Sequence, residues 1–284
     1  MRNPHAVWLK DKLYVGGGKT QLGAATDAQL YVYRSTSDQW TSIYSPVYWF
    51  ALTTYRSQIL LIGGRKYYFR PRAYAVATGY TDSSRNYARP DVTNCIETLS
   101  NGRCIQSTLA NLNIKRHSAS AVNSDNWLIV IGGLESRGKL ANVELYDGLN
   151  WSVIQHISNL SYSKRCVILN EKVYVMGGYE KKMVYSTSLT SINTGIQCAW
   201  DKLPTLAESA STIVSYNNYL LAIGEGGNIF VYSHDVEVWV HIGRGFTADH
   251  DDICAAVDSA GVLIVIGRTG THKTTLNGEC TRSY

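Results

Sequence analysis

The chain has 284 residues, of which 45% are hydrophobic and 17% charged. That balance is too apolar for disorder, and no apolar run approaches the roughly 20 residues that cross a bilayer. A formal charge of +5 is modest for this length, which permits a nucleic-acid partner without suggesting one, and the opening MRNPHAVWLKDKL lacks the apolar stretch of a signal peptide.

Taken in chain order, the sequence repeats itself. The first unit has HAVWL at 5–9, then LYVGGG at 13–18, then QLYVYRSTSDQW at 29–40. The second has FALTTY at 50–55 and ILLIGG at 59–64; the third has SASAVN at 118–123, LIVIGG at 128–133 and ANVELYDGLNW at 141–151. The fourth has CVILN at 166–170 and VYVMGG at 173–178, and the fifth ASTIVSY at 210–216, LLAIGE at 220–225 and NIFVYSHDVEVW at 228–239. The sixth has ICAAVD at 253–258 and LIVIGR at 263–268. The spacing is near-constant apart from one interval, 64 to 133, that is longer by about half, and a fixed period of this size marks a repeat fold.

Each unit reads as four strands. Small residues in the first segment suit the innermost strand of a blade, the short apolar run is a second strand buried on both faces, and the last segment is two strands joined by a turn of Ser, Asp, Asn or Gly. The fold expected is therefore all-β: a six-bladed β-propeller of four-stranded antiparallel blades. Its blades lie near 5–43, 50–108, 117–154, 165–203, 209–242 and 252–284, in one domain over 1–284.

The motif residues resemble the kelch repeat, in which a hydrophobic run closed by a diglycine is followed by a Tyr and, six residues beyond it, a Trp. The diglycines are Gly17–Gly18, Gly63–Gly64, Gly132–Gly133 and Gly177–Gly178. Tyr33 to Trp40 and Tyr232 to Trp239 keep the spacing, Tyr146 to Trp151 is shorter, and Tyr185 to Trp200 is longer through an insertion. Glycine suits a backbone that turns with positive φ or lies against another segment, and Tyr and Trp are amphipathic wedges between blades. Departures fall in unit 2, where Cys104 stands near the expected Trp, and in units 5 and 6, where Glu225 and Arg268 replace the second glycine. The resemblance implies that a terminal strand completes the last blade, here the tail at 281–284 if it is present, and that the chain is one part of a longer protein.

Loops entering the first strand and leaving the second emerge on one rim of a propeller. The repeat places there Lys19, Trp49, Arg65, Arg116, His117, Ser118, Arg165, Tyr179, Ser209 and Arg268, with Glu135, Glu208, Glu225, Asp251 and Asp252. The long interval holds an insertion from about Lys66 to Asp91 that includes Tyr67, Tyr68 and Arg70. Tyr with Arg is the composition favoured at protein interfaces. In kelch domains of ubiquitin-ligase substrate adaptors, arginines and serines at similar loop positions hold acidic peptides, and Arg116 with Ser118 matches that pairing. The resemblance thus implies a module, monomeric as an isolated domain, that binds a partner protein or acidic peptide, with the substrate-recognition domain of a ubiquitin-ligase adaptor as the finer expectation. The lack of a signal stretch makes a cytoplasmic location the default, and no membrane or nucleic-acid partner, metal or cofactor is expected. The basic side of the rim would be centred on Arg65, Arg116 and Arg165.

Two other classes stay open: an enzyme using the central mouth, and an RNA-binding or cytoskeletal platform. Asp249–His250–Asp251–Asp252 is the one compact run of metal-ligand types, and four consecutive residues rarely converge on an ion. Gly18–Lys19–Thr20 lacks the earlier glycine and following helix of a phosphate loop. The Glu, Asp, His pattern at intervals of four found in the iron-dependent specifier proteins of this family is absent. Six cysteines without a CxxC pair read as free thiols, with Cys166 and Cys254 expected to be buried. A Cys95–Cys104 bridge across a hairpin stays open, since spacing alone does not show disulfide geometry.

Overall fold

The structure, a computed structural model, describes residues 4–18, 29–66, 91–93, 96–124, 126–135, 138–156, 164–177, 182–194, 199–245, 253–267 and 270–276. It is a six-bladed β-propeller. Blade 1 comprises His5–Leu9, Lys12–Gly16, Gln29–Arg34 and Gln39–Tyr44; blade 2 comprises Ala51–Tyr55, Gln58–Ile62, Ile96–Ser100 and Arg103–Gln106. Blade 3 has Ser120–Ser124, Trp127–Ile131, Asn142–Tyr146 and Trp151–His156, and blade 4 has Lys164–Leu169, Lys172–Gly177, Val184–Ser188 and Asp201–Lys202. Blade 5 has Ala210–Tyr216, Tyr219–Gly224, Asn228–Ser233 and Val238–Arg244. Blade 6 has Cys254–Val257, Val262–Gly267 and Gly270–Thr275 among the described residues, and the tail expected to complete it lies outside them. Successive innermost strands are neighbours around the ring, and those of blades 6 and 1 meet to close it. No helix of the described chain is long and apolar enough to cross a membrane.

Strand alternation explains why the second strands read as unbroken apolar runs. In Trp127–Ile131, Leu128 and Val130 enter the seam between blades 2 and 3, while Ile129 and Ile131 enter the seam between blades 3 and 4. Every blade is buried on both faces in this way, and six apolar clusters fill the six seams. Each fully buried Leu, Ile or Val contributes about 1.5–3 kcal/mol.

The tyrosine and tryptophan of the repeat are cross-strand partners. Tyr33 faces Trp40, Tyr146 faces Trp151 and Tyr232 faces Trp239 across the third and fourth strands, each with ring centroids 5.2 Å apart. Leu13, Leu128 and Leu220, the first residues of their apolar runs, pair with these tyrosines. In blade 4 the equivalent Val173 pairs with Thr187, so Tyr185 is not the motif tyrosine. It sits two residues early, opposite Lys202, and Trp200 packs into the seam with blade 3 instead. The short helix Leu189–Asn193 between the two strands, which buries Leu189 and Ile192, accounts for the displaced spacing. In blade 2, Leu99 faces Cys104, so a thiol does stand in the tryptophan's place.

The diglycine also has a geometric cause. Gly63 and Gly64 have φ of 66° and 101°. A Cβ on Gly63 would lie 2.3 Å from the Arg116 carbonyl oxygen of blade 3, and one on Gly64 2.8 Å from the Tyr48 oxygen of its own blade. The pair threads between two entering segments on the rim, where no side chain fits.

Candidate functional site

The segments that enter blades 2 and 3 lie side by side on the rim. Trp49 and Ser118 precede their innermost strands at corresponding places, and both adopt positive φ, 57° and 53°. The Ser118 amide donates to the Trp49 carbonyl at 2.7 Å and the Gly64 amide to that of Arg116 at 2.7 Å. Val47–Tyr48 pairs with Arg65–Lys66, which pairs in turn with Asp91–Val92, a small three-stranded clamp at the two ends of the insertion.

This frame gathers four of the residues expected on the rim. The Trp49 and His117 rings stack 5.1 Å apart at an interplanar angle of 21°, and the Arg65 guanidinium lies 5.2 Å from the Trp49 ring centroid. His117 Nδ1 is 3.0 Å from Ser118 Oγ. Burial, reinforced by the charge of Arg65, pushes the His117 imidazole down to about 4, so at neutral pH the ring is uncharged. Trp49, Arg65 and Ser118 are partly exposed, whereas His117 is buried beneath them. The Arg65 Nε is buried without a hydrogen-bond partner, and no carboxylate pairs with this guanidinium among the described residues.

The other two arginines of the expected basic rim are not rim cations. Arg116 is fully buried: its guanidinium donates to Glu144 Oε1 at 2.5 Å and to the Gly132 and Asn142 carbonyls at 2.6 and 3.3 Å. Glu144, equally buried, also accepts from the Asn113 amide at 2.7 Å, so the pair fastens the incoming segment to the third strand of blade 3. Burial lowers the Arg116 pKa and the Glu144 carboxylate opposes the shift. A charge placed in the middle of a sheet covered on both faces requires such a partner. Arg165 is 8% exposed, pairs with Met176 within the innermost strand of blade 4, and donates to the Pro4 carbonyl at 2.6 Å. The repeat register predicts a loop position for it; the ladder sets it in the strand, at the channel.

Ser209 is partly exposed in blade 5, across the ring from Trp49, where its carbonyl accepts from the Glu225 amide at 3.0 Å. Glu208 beside it accepts from Asn228 Nδ2 at 2.8 Å. Lys19, Tyr67, Tyr68, Arg70, Tyr179 and Arg268, with the interior of the insertion, Gly178 and the 249–252 run, lie outside the described residues. Among those described, no group of three or more His, Cys, Asp or Glu is arranged to hold a metal. Cys104, Cys166 and Cys254 are free thiols, raised by burial to about 11, 12 and 12. Cys254 is buried as expected, whereas Cys166 is partly exposed to the channel. Cys95 lies outside the described residues.

Compared with known proteins, the chain matches no protein-family model and no curated protein. The fold and the geometry of the rim therefore carry the functional reading.

Proposed function

We propose that this propeller is a protein-interaction module and that its contact surface is the rim between blades 2 and 3, where Arg65 stacked on Trp49 receives a carboxylate of the partner. The observation that carries this is the guanidinium held against an indole, its Nε buried without a hydrogen-bond partner and with no carboxylate paired to it among the described residues. A stacked arginine is pre-organised, so little side-chain entropy is lost when its fork takes a carboxylate. Trp and Arg are also the side chains that most often dominate binding energy. Propellers commonly serve as binding platforms, and the tyrosine–tryptophan pairs in three blades support the resemblance to kelch repeats, hence to adaptor domains that present acidic partners for modification. The expected arginine triad contracts to Arg65, because Arg116 and Arg165 are spent inside the fold.

The test is an array of acidic and neutral peptides probed with the wild-type chain, Arg65→Glu and Trp49→Ala. Arg65→Glu should change stability by no more than about 1 kcal/mol, the loss of one partly exposed cation–π contact. It should lower affinity for acidic peptides more than tenfold, and Trp49→Ala should lower it less. Acidic peptides that bind Arg65→Glu as tightly as the wild type would end this reading.

A further inference from the structure

The innermost strands surround an axial channel of about 300 Å3. At its rim-side end His5, Ala51, Ser120, Arg165, Thr212 and Cys254 occupy one ladder position, each opposite the fourth residue of the following strand's apolar run. All but Ala51 line the channel. One long cation thus stands in a ring of short or neutral side chains.

Where that cation goes is set by its contact. Arg165 belongs to blade 4, and Pro4, whose carbonyl accepts from the guanidinium at 2.6 Å, leads into blade 1. In a six-membered ring these blades face each other, so the arginine crosses the axis. Its charge is felt by His5 of blade 1, which burial and Arg165 hold well below the ordinary imidazole range, and by Cys254 of blade 6. The guanidinium therefore lies over the mouth rather than along one wall. Cys166, the next residue, lines the channel beneath it.

We infer that Arg165 and the Pro4 carbonyl form a strap across the rim-side mouth of the channel, and that release of this strap admits solutes to Cys166 and Cys254. The strap lies outside the blade 2–3 contact surface, although on the same rim. The Pro4 carbonyl lies just ahead of the first strand, which starts at His5, so loss of this bond breaks no strand pairing of a blade.

The experiment uses the full chain and a small neutral thiol reagent, methyl methanethiosulfonate, with Cys166 and Cys254 followed separately by peptide mass spectrometry. Arg165→Met keeps the length of the side chain and removes its donors; Arg165→Lys keeps the charge but not the planar fork. Both thiols should react at least tenfold faster in Arg165→Met than in the wild type, with Arg165→Lys between them. The acceleration should be insensitive to low urea concentrations, the mark of a local opening rather than of global unfolding. Equal rates in all three proteins would mean that reagent enters from the opposite mouth, and would overturn the inference. So would acceleration that rises steeply with urea, or failure of both variants to fold, because Arg165 would then be an anchor of the core and not a strap.

Discussion

The seam between blades 2 and 3 and the seam between blades 6 and 1 use the same repeated pair of aromatics and close in different ways. Trp151, in the first, is 7% exposed, and its indole N–H donates to the Ala110 carbonyl at 2.8 Å. Trp239 makes the same bond to Pro204 at 2.9 Å. Both carbonyls belong to chain crossing from the preceding blade. Among the described residues no carbonyl accepts from the Trp40 indole, and this ring is 38% exposed. A polar latch accompanies it: the Tyr33 hydroxyl donates to Asp38 at 2.7 Å, and Lys273 of blade 6 donates to both, at 2.7 Å to the hydroxyl and 2.5 Å to the carboxylate. A tryptophan buried with its indole hydrogen-bonded is sealed from water; a half-exposed one beside a charged latch leans on charges that water and salt weaken.

The largest effect expected of any single change is at the first seam. Glu144→Ala should cost about 3–5 kcal/mol, because it strands the buried Arg116 and releases the segment that carries Ala110. Urea unfolding measures this, and a loss under about 1 kcal/mol would show that the pair does not anchor the seam. Trp151→Ala should likewise cost about 3–5 kcal/mol. Trp40→Ala, losing a half-exposed wedge, should cost less than half as much, and equal losses would erase the distinction between the seams.

Acid should separate the two seams again. His117 titrates near 4 in the fold and near 6.5 when unfolded, so the unfolded chain binds the proton first and stability falls as pH drops from about 6.5 to about 4. The whole shift corresponds to about 3 kcal/mol, and His117→Asn should flatten that limb of a stability–pH curve. The latch has a wider window. Hydrogen bonds from Lys273 and Tyr33 hold the Asp38 carboxyl below its ordinary 3.8, so its contribution is present above that pH and is lost only as pH falls further. The Lys273 ammonium, raised above 10.5 mainly by its bond to Asp38, contributes below that pH and loses its hold as pH rises further. Lys273→Met should therefore give the smallest loss, visible between these limits and fading in high salt. A loss unchanged by salt would mean that packing, not charge, joins blades 6 and 1.

Much of this architecture is legible in the sequence because a repeat is its own alignment. The apolar runs ending at 18, 64, 133, 178, 225 and 268 set the number of blades, and the spacing puts Cys104 near the tryptophan position of blade 2, where the ladder has it. In blade 4 the spacing points to Tyr185 and Trp200, but a spacing alone does not say which strand residue faces which, and the helix at Leu189–Asn193 shifts the count. The same limit governed the site. A loop register puts Arg116 and Arg165 beside Arg65, but only the ladder shows that Arg165 lies within a strand. The fate of Arg116 did have a signal: Glu144 stands between Val143 and Leu145 in a strand covered on both faces, and a carboxylate there demands a cation from nearby. Nothing in the sequence pattern joins Arg165 to Pro4 across the axis.

The clamp formed by Val47–Tyr48, Arg65–Lys66 and Asp91–Val92 has a practical consequence. Arg65 faces Val92 and Lys66 faces Asp91, so the chain leaves and re-enters the scaffold at adjacent points. Once both ends are pinned, doubling the length of what lies between costs only about 0.6 kcal/mol in closure entropy. The propeller thus has a socket next to its aromatic rim, and a foreign peptide or whole domain exchanged for residues 67–90 should be displayed there while the six blades keep their register.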